Sequence, residues 1–358
     1  MVSTKVYSVR IEPHGRTIQV REDAPVLEAA LAAGLNLPHS CKSGHCGSCR
    51  ARLLRGEVRY PAGRPLGLTE TEEREGYVLL CQARPATDLV VEARSVARVS
   101  EVEIKTLPCR VARLVPLAPD VMQVFLRLPV VETLPFQAGQ YLDFLVEDGR
   151  RRSFSIASPP HDSDLIELHV RKVSGGGFTE RLFGHLGTGA LLRIEGPMGQ
   201  FVYREGTRPI LMVAGGTGFA PLKAILRHIF ERTAGREVHL YWGARHARDV
   251  YEETQILEWQ RQYPGLRFTA VLSEGAAEEI GPAFPHRRLG WVHEVVLSDH
   301  PKLDQVEVYM AGPPALIEAV RSSFPRHGLP ADRLHFDSFD YAPPAQAGRG
   351  SVAAAART

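Results

Sequence analysis

Alternating apolar and polar positions predict short strands at the start of the chain. Apolar and polar residues alternate strictly over residues 7–12. After a turn, residues 17–20 form a second strand-like run. Successive side chains of a strand point to opposite faces, so this pattern indicates a sheet with one buried face. Helical spacing begins after Asp23, a candidate N-cap, and ends at Gly34. The N-terminal region is therefore expected to be a small β-rich domain.

Strand-like runs also dominate the middle of the chain. No long helical period separates them, which favours an antiparallel barrel. A polar segment near residues 96–105 is expected to link this barrel to the first domain. Before this linker, Thr69 and Glu72 have capping-box spacing and predict a short helix. The predicted strands of the barrel are 121–128, 141–146, 153–157, 165–173 and 191–195.

The pattern changes again at about residue 206, where apolar strands alternate with amphipathic helices. Such an order predicts a parallel sheet covered by helices, with ligands at the carboxyl ends of its strands. The predicted strands are 209–213, 237–242, 266–272 and 306–310, and the predicted helices are 219–232, 251–262, 292–298 and 315–324.

Composition excludes several classes of protein. The 358 residues are 44% hydrophobic and 23% charged, which is typical of a globular chain. A net charge of +2 gives no basic excess for nucleic-acid binding. No apolar stretch is long enough for a transmembrane helix, and residues 1–16 lack the apolar core of a secretory signal. We therefore expect a monomeric cytoplasmic protein whose five cysteines are thiols or metal ligands.

Four of these cysteines have a spacing that indicates an iron–sulfur site. Cys41, Cys46 and Cys49 form a Cys-x4-Cys-x2-Cys pattern, and Cys81 follows at a distance, which is the plant-type 2Fe–2S arrangement. Glycines in the loop allow a wrapped backbone that points N–H groups at a negatively charged cluster. Zinc is the main alternative, but zinc sites usually pair two knuckles. The remaining Cys109 is expected to be a small buried hydrophobe.

Two stretches of the predicted barrel carry residues suited to a nucleotide. Arg152, Phe154, Ser155 and Ser158 lie on or directly beside the predicted strand 153–157, where a guanidinium suits a pyrophosphate and an aromatic face suits a planar ring. Taken alone, this strand also fits a solvated face. A glycine-rich stretch then precedes a helix start and offers N–H groups to an anion, although a flexible hairpin loop is the alternative. Its candidate residues are Gly176, Gly177 and Thr179.

Two further glycine-containing turns end strands of the predicted parallel sheet. The first opens a helix, so it is a candidate for dinucleotide binding, although it lacks the G-x-G-x-x-G fingerprint. The second is Ala311-Gly312-Pro313-Pro314 at the end of the fourth strand. The candidate residues of the first turn are Gly215, Gly216, Thr217, Gly218 and Pro221.

Together these motifs resemble three known elements joined in one chain. Residues 1–98 resemble plant-type ferredoxins, residues 99–205 the FAD-binding barrel of the ferredoxin–NADP reductase superfamily, and residues 206–342 its NAD(P)-binding α/β domain. The resemblance implies a multidomain α/β + β fold, with a β-grasp 2Fe–2S ferredoxin, an antiparallel flavin barrel and a parallel pyridine-nucleotide domain. Residues 343–358 are expected to be a disordered tail.

The chain is most similar to single-chain reductases of bacterial multicomponent oxygenases, and among them to CDP-6-deoxy-glucoseen (CDP-4-dehydro-6-deoxyglucose) reductases. By this resemblance Arg152 holds the flavin phosphates, Phe154 packs along the flavin and Ser155 lies near flavin N5 as the catalytic residue. Phe339 belongs to a closing segment beside the flavin. The glycine turns, with Gly312 and Pro313, meet the pyridine nucleotide. The chain has Phe154 where tyrosine is commoner and Ala311 where the family has cysteine.

The resemblance implies an enzyme that passes electrons from NAD(P)H through FAD to the 2Fe–2S cluster and on to a partner oxygenase or dehydrase component. One alternative is a stand-alone diaphorase that reduces ferric chelates, quinones or free flavin. Another is a non-catalytic iron–sulfur redox sensor. Intact nucleotide and flavin motifs argue against the sensor, and a ferredoxin domain is superfluous in a diaphorase.

Two finer expectations concern the donor and the partner. Arg245 and Arg248 follow the second strand of the parallel sheet and suit a 2′-phosphate, which favours NADPH. The resemblance to oxygenase reductases favours NADH, and NADH is preferred here. Basic residues near the cluster ligands predict a partner with an acidic surface. These residues are Lys42, Arg50, Arg52, Arg55 and Arg59.

Overall fold

A computed structural model gives the fold of most of the chain. The predicted tail and most of the predicted linker lie outside the described residues, and so do Cys41, Cys46 and Gly176. The structure describes residues 4–13, 15–35, 37–39, 42, 44, 47–93, 104–146, 151–162, 164–175, 177–232 and 235–339.

The N-terminal unit is a five-stranded sheet with the order β2-β1-β7-β3-β5, in which β1 and β7 run parallel. Its first helix packs Val26, Leu27 and Ala30 into the core. The helix starts after Pro25, and Asp23 instead pairs with Arg21, so the predicted Asp23 cap was wrong. The elements are β1 Val6–Glu12, β2 Arg16–Arg21, α1 Val26–Ala32, β3 Arg50–Arg55, β4 Val58–Arg59, α2 Glu70–Arg74, β5 Tyr77–Leu79, β6 Arg84–Pro85 and β7 Leu89–Glu92.

The capping box predicted at the second helix is confirmed. The Thr69 N–H donates to the Glu72 carboxylate at 2.9 Å, and the Glu72 N–H donates to the Thr69 hydroxyl at 3.2 Å. Each interaction satisfies a backbone donor that the first turn of a helix leaves free. This helix precedes β5, which leads directly to Cys81.

The middle unit is a six-stranded antiparallel sheet with the order β11-β10-β13-β8-β9-β12. A bridge between Ile156 and Leu168 joins its two edges and closes the barrel. Cys109 is 2% exposed in the barrel core, and burial raises the pKa of its thiol to about 12, as expected for a structural cysteine. The elements are β8 Lys105–Ala118, β9 Val121–Arg127, β10 Tyr141–Leu145, β11 Arg151–Ser155, β12 Ile166–Arg171, α3 Gly177–Gly184 and β13 Leu191–Met198.

The C-terminal unit is a six-stranded parallel sheet with the order β17-β16-β15-β14-β18-β19 and helices on its faces. The chain leaves β14 in one direction and returns to its other side at β18, which makes a topological switch point between these two strands. The elements are β14 Ile210–Gly215, α4 Phe219–Arg232, β15 Val238–Ala244, α5 Glu253–Gln262, β16 Leu266–Leu272, β17 Arg287–Leu289, α6 Val292–Asp299, β18 Glu307–Gly312, α7 Pro314–Ser323 and β19 Leu334–Ser338. Short 3-10 helices cover Gly216–Gly218, Ala247–Asp249, Ala277–Glu279, Phe324–His327 and Ala331–Arg333.

Candidate functional site: three connected cofactor sites

The described part of the cysteine loop fits an iron–sulfur cluster. Cys49 and Cys81 are 32 positions apart, yet the Cys81 N–H lies 3.5 Å from the Cys49 sulfur and points to it. Both side chains are buried. Gly44 and Gly47 have φ values of 84° and 75°, the left-handed conformation that favours glycine. A wrapped backbone that donates N–H groups to thiolate sulfur is the chemistry such a cluster needs.

The cysteine loop rests on the barrel. The His39 imidazole Nε2 lies 2.5 Å from the Tyr141 hydroxyl, and the Lys42 ammonium lies 3.0 Å from the Asp143 carboxylate. Burial, together with the charge of Lys42, lowers the pKa of His39 to about 4, so this ring is neutral at pH 7. The N-terminal unit therefore joins the barrel through His39 and Lys42, which flank Cys41 in the sequence.

Two of the basic residues near the cysteines have acidic partners within the chain. Lys42 pairs with a carboxylate of its own chain, and Arg50 pairs with Glu72. Neither is a free cation on the surface. Arg52, Arg55 and Arg59 are exposed, and Arg59 lies 3.7 Å from Glu22, so the docking of an acidic partner stays a prediction.

The predicted flavin strand, β11, ends where the barrel meets the nucleotide unit. The Ser155 hydroxyl donates to the Asp337 carboxylate at 3.3 Å, and both residues are buried. Phe154 is half-buried against Phe144 and Phe178. Arg152 is also half-buried, and its guanidinium donates to a neighbouring backbone carbonyl. The strand thus offers an aromatic ring and a guanidinium beside a boundary between two units.

Two of the other residues predicted to bind the flavin form hydrogen bonds with the local backbone. The Ser158 hydroxyl accepts a hydrogen bond from the Glu167 N–H at 3.1 Å. The Thr179 hydroxyl accepts from the Val173 N–H at 3.1 Å and closes the glycine loop. Gly177 begins α3 in open space, where an added Cβ meets nothing within 4 Å.

The two glycine turns of the parallel sheet meet at the switch point. A Cβ on Gly218 would lie 1.9 Å from the Ala311 carbonyl oxygen, and one on Gly312 would lie 2.9 Å from the Gly215 Cα. A Cβ on Gly215 would lie 2.7 Å from Pro313. At Gly218 and Gly312, backbone therefore packs on backbone, whereas Gly215 packs on the Pro313 ring. Such a cradle without side chains is where a dinucleotide approaches a helix N-terminus.

The remaining predicted residues surround this cradle. Gly216 has a φ of 54°, and Thr217 and Pro221 are buried at the start of α4. Phe339 donates its N–H to the Gly312 carbonyl at 2.8 Å, which ties the closing segment to the second turn. Ala311 is fully buried at the end of β18.

Arg171 is a site residue that the sequence analysis missed. It ends β12, and its guanidinium carbon lies 3.6 Å from the position a Cβ on Gly216 would take. A barrel strand therefore brings a cation to the glycine turn at residues 215–218, which is the candidate nucleotide site. The sequence did hold a sign of this position. Arg171 alternates along the strand with Glu167 and His169, so the three side chains share the face that points out of the barrel.

A buried charge cluster at the boundary between the barrel and the nucleotide unit was also missed. The Lys223 ammonium of α4 lies 2.7 Å from Glu167 on β12 and 2.7 Å from Glu252 before α5. His169 lies 2.9 Å from Glu167. Burial favours the neutral form of Glu167, but His169 and Lys223 outweigh it and hold the pKa of this carboxyl well below its usual range. The cluster fastens α4, which begins directly after the turn at Gly216–Gly218, to the barrel.

No helix in the part of the chain that the structure describes is both long enough and apolar enough to cross a membrane.

Three family models match in the order of the three units. A 2Fe–2S iron–sulfur cluster binding domain matches residues 9–86. An oxidoreductase FAD-binding domain matches residues 108–203, and an oxidoreductase NAD-binding domain matches residues 212–322. The chain therefore has binding domains for all three cofactors, in agreement with the sequence-based prediction.

Similar curated proteins cover almost the whole chain. The CDP-6-deoxy-L-threo-D-glycero-4-hexulose-3-dehydrase reductase of Yersinia pestis is 36% identical over 93% of this chain and 98% of its own length. Reductase component 1 of the terephthalate 1,2-dioxygenase of a Comamonas species is 36% identical over 89% and 93%, respectively.

Solved structures agree. The cytochrome P450 reductase GcoB of Amycolatopsis has a TM-score of 0.77 and 34% identity, and the match covers 93% of this chain and 98% of that one. The ferredoxin reductase in carbazole 1,9a-dioxygenase has a TM-score of 0.69 and 28% identity, with 95% and 100% coverage. The chain thus belongs to the ferredoxin–NADP reductase superfamily, as a reductase with binding domains for NAD, FAD and a 2Fe–2S cluster, and its relatives are reductases of dehydrase and oxygenase systems.

Proposed function

We propose that NADH is the physiological donor and that the three sites form one electron path. We also propose that the protein is a cytoplasmic monomer, with domain boundaries at about residues 98 and 205. When bound, NADH would supply a hydride, FAD would link this two-electron donor to one-electron transfer, and the 2Fe–2S cluster would carry single electrons. The contact between Ser155 and Asp337 carries the proposal. It brings the flavin strand of the barrel to the edge of the sheet where the two glycine turns lie.

Residue roles follow from the chemistry of each side chain. We assign the flavin phosphates to Arg152, one flavin face to Phe154 and the neighbourhood of N5 to Ser155. Ser158 and Thr179 shape the backbone, since their hydroxyls bond to it. Gly176, Gly177 and Phe339 complete the flavin site. The pyridine nucleotide is assigned to Gly215, Gly216, Thr217, Gly218, Pro221, Gly312 and Pro313, and the cluster to Cys41, Cys46, Cys49 and Cys81.

Replacing Cys81 by serine is expected to remove the cluster and abolish electron delivery to one-electron protein acceptors. The rate of NADH-to-ferricyanide transfer should stay within about twofold of the parent, because that acceptor can take electrons at the flavin. Iron content, visible absorbance and both rates are the measurements. Cys109→Ser is the matched control, since Cys109 lies alone in the barrel core and its variant should keep the cluster. Zinc without iron in the anaerobically purified parent would refute the cluster assignment.

The choice of NADH rests on the loop after β15 and on the resemblance to oxygenase reductases. The Arg245 guanidinium lies 3.7 Å from the Asp249 carboxylate, so a 2′-phosphate would compete with an existing charge partner. We expect a higher kcat/KM with NADH than with NADPH. The comparison uses ferricyanide as acceptor, which confines it to the nucleotide and flavin steps. A tenfold preference for NADPH would contradict the assignment.

A further inference from the structure

One face of strand β10 forms the junction with the cysteine loop. Tyr141 and Asp143 are two residues apart, so their side chains point to the same face. Tyr141 meets His39 at 2.5 Å, and Asp143 meets Lys42 at 3.0 Å. The Lys42 ammonium also lies 5.2 Å from the centre of the Tyr141 ring. Two polar contacts and a cation–π contact thus join the two units at one place.

The ion pair between Lys42 and Asp143 joins a buried side chain to a partly exposed one. The Asp143 side chain is fully buried, whereas the Lys42 side chain keeps 29% of its exposure. Asp143 also accepts a hydrogen bond from the Ser153 hydroxyl at 2.5 Å, and Arg151 lies 4.0 Å away. Because a buried carboxylate needs its partners close, Asp143 holds Lys42 in a defined position.

The backbone of Lys42 supports the same conclusion. Its φ is 57°, and among the described residues it is the only one other than glycine with a positive φ. Glycine would adopt this conformation more easily, so the lysine side chain must contribute something that glycine lacks. The contact with Asp143 is that contribution. Strained residues of this kind collect at functional sites.

Strand β10 in turn pairs with the proposed flavin strand. Tyr141 lies opposite Ser155, and Asp143 lies opposite Ser153. The residues that hold the cysteine loop therefore lie next to those assigned to the flavin. We propose that Tyr141 and Asp143, through His39 and Lys42, are positioning residues that set the electron-transfer geometry between the flavin and the cluster. The proposal rests on the function assigned above.

Tyr141→Phe and Asp143→Asn test this from the barrel side and leave the cysteine loop unchanged in sequence. In the holoenzyme under anaerobic conditions, we expect flavin reduction by NADH within twofold of the parent rate. Cluster reduction should slow about tenfold or more in the double variant, because small displacements of reacting groups are costly. Hydrogen exchange of peptides covering residues 37–47 should rise, which is a readout independent of turnover.

Matched variants separate positioning from general damage. Asp162 and Arg227 form an exposed ion pair at 2.8 Å, which is another contact between two units. Asp162→Asn breaks this pair and should change neither cluster reduction nor hydrogen exchange of residues 37–47. Lys42→Arg should keep most of the parent rate of cluster reduction, and Lys42→Met should lose it. Unchanged cluster reduction and exchange in the double variant would overturn the proposal. An equal slowing of flavin reduction would also overturn it. Absence of any cluster reduction in the parent would instead refute the proposed function.

Discussion

Replacing Gly218 by alanine is expected to lower the rate of flavin reduction by NADH about 100-fold, since misplacing reacting groups by about 1 Å can cost that much. The added Cβ would lie 1.9 Å from the Ala311 carbonyl oxygen and 2.8 Å from the Gly312 nitrogen. Both are backbone atoms at the end of β18, so no side chain can turn away to relieve the clash. The two glycine turns must then separate, and the proposed nucleotide site loses its shape. Stopped-flow flavin reduction measures the effect.

Gly184→Ala is the control for this variant. Gly184 ends α3, and a Cβ there meets nothing within 4 Å. Alanine at this position should leave the rate of flavin reduction at the parent value. A Gly218→Ala variant that reduces its flavin as fast as the parent would show that the turn has room to adjust, and would remove the steric argument for the nucleotide site.

Replacing Lys223 by methionine is expected to lower the free energy of unfolding of the nucleotide unit by about 3–5 kcal/mol at pH 7. Lys223 is 5% exposed and bridges Glu167 and Glu252. Methionine fills a similar volume but leaves two buried carboxylates without their cation. All three tryptophans, Trp242, Trp259 and Trp291, lie in this unit, so tryptophan fluorescence during urea unfolding reports on it.

The pH dependence of this loss has a definite sign. In the parent, the lowered pKa of Glu167 stabilises the fold at pH values above the usual carboxyl pKa. This stability disappears as the pH falls through the pKa of Glu167 in the folded state. Without Lys223 the pKa of Glu167 rises, so protonation at mildly acidic pH relieves the variant. The difference in stability between parent and variant should therefore shrink from pH 7 towards pH 4.5.

Arg227→Met, one turn further along α4, removes the same charge from an exposed pair. The side chains of Arg227 and Asp162 keep 30% and 51% of their exposure, so the loss should stay below about 1 kcal/mol. Equal losses for the Lys223 and Arg227 variants would contradict the assignment of Lys223 as the cation of a buried cluster.

Several structural features were predictable because their causes are local. Strand β16 and helix α4 have the predicted bounds, since the spacing of apolar residues alone is enough to identify each of them. The glycine turns were predictable for a similar reason, because a turn between a strand and a helix shows in a few adjacent residues.

The missed strand β8 shows where local patterns fail. Lys105–Ala118 is the longest strand of the barrel, yet Pro108 and Pro116 interrupt its pattern. Proline cannot donate a hydrogen bond within a sheet, so its presence argued against a strand. The register of β8 and β9 shifts next to Pro116, and such an irregularity accommodates the proline. This choice depends on the partner strand.

By itself, the sequence determined the three units, their order and the chemistry of each, because cysteine spacing, glycine turns and apolar periods act over short stretches of chain. Tertiary structure decided how the units meet. The contact between His39 and Tyr141 joins residues 102 positions apart, and that between Ser155 and Asp337 joins residues 182 apart. Lys223 is an ordinary surface residue by its local pattern and a buried cation in the fold. Such contacts depend on where the sheets place distant residues, and no period along the chain records that.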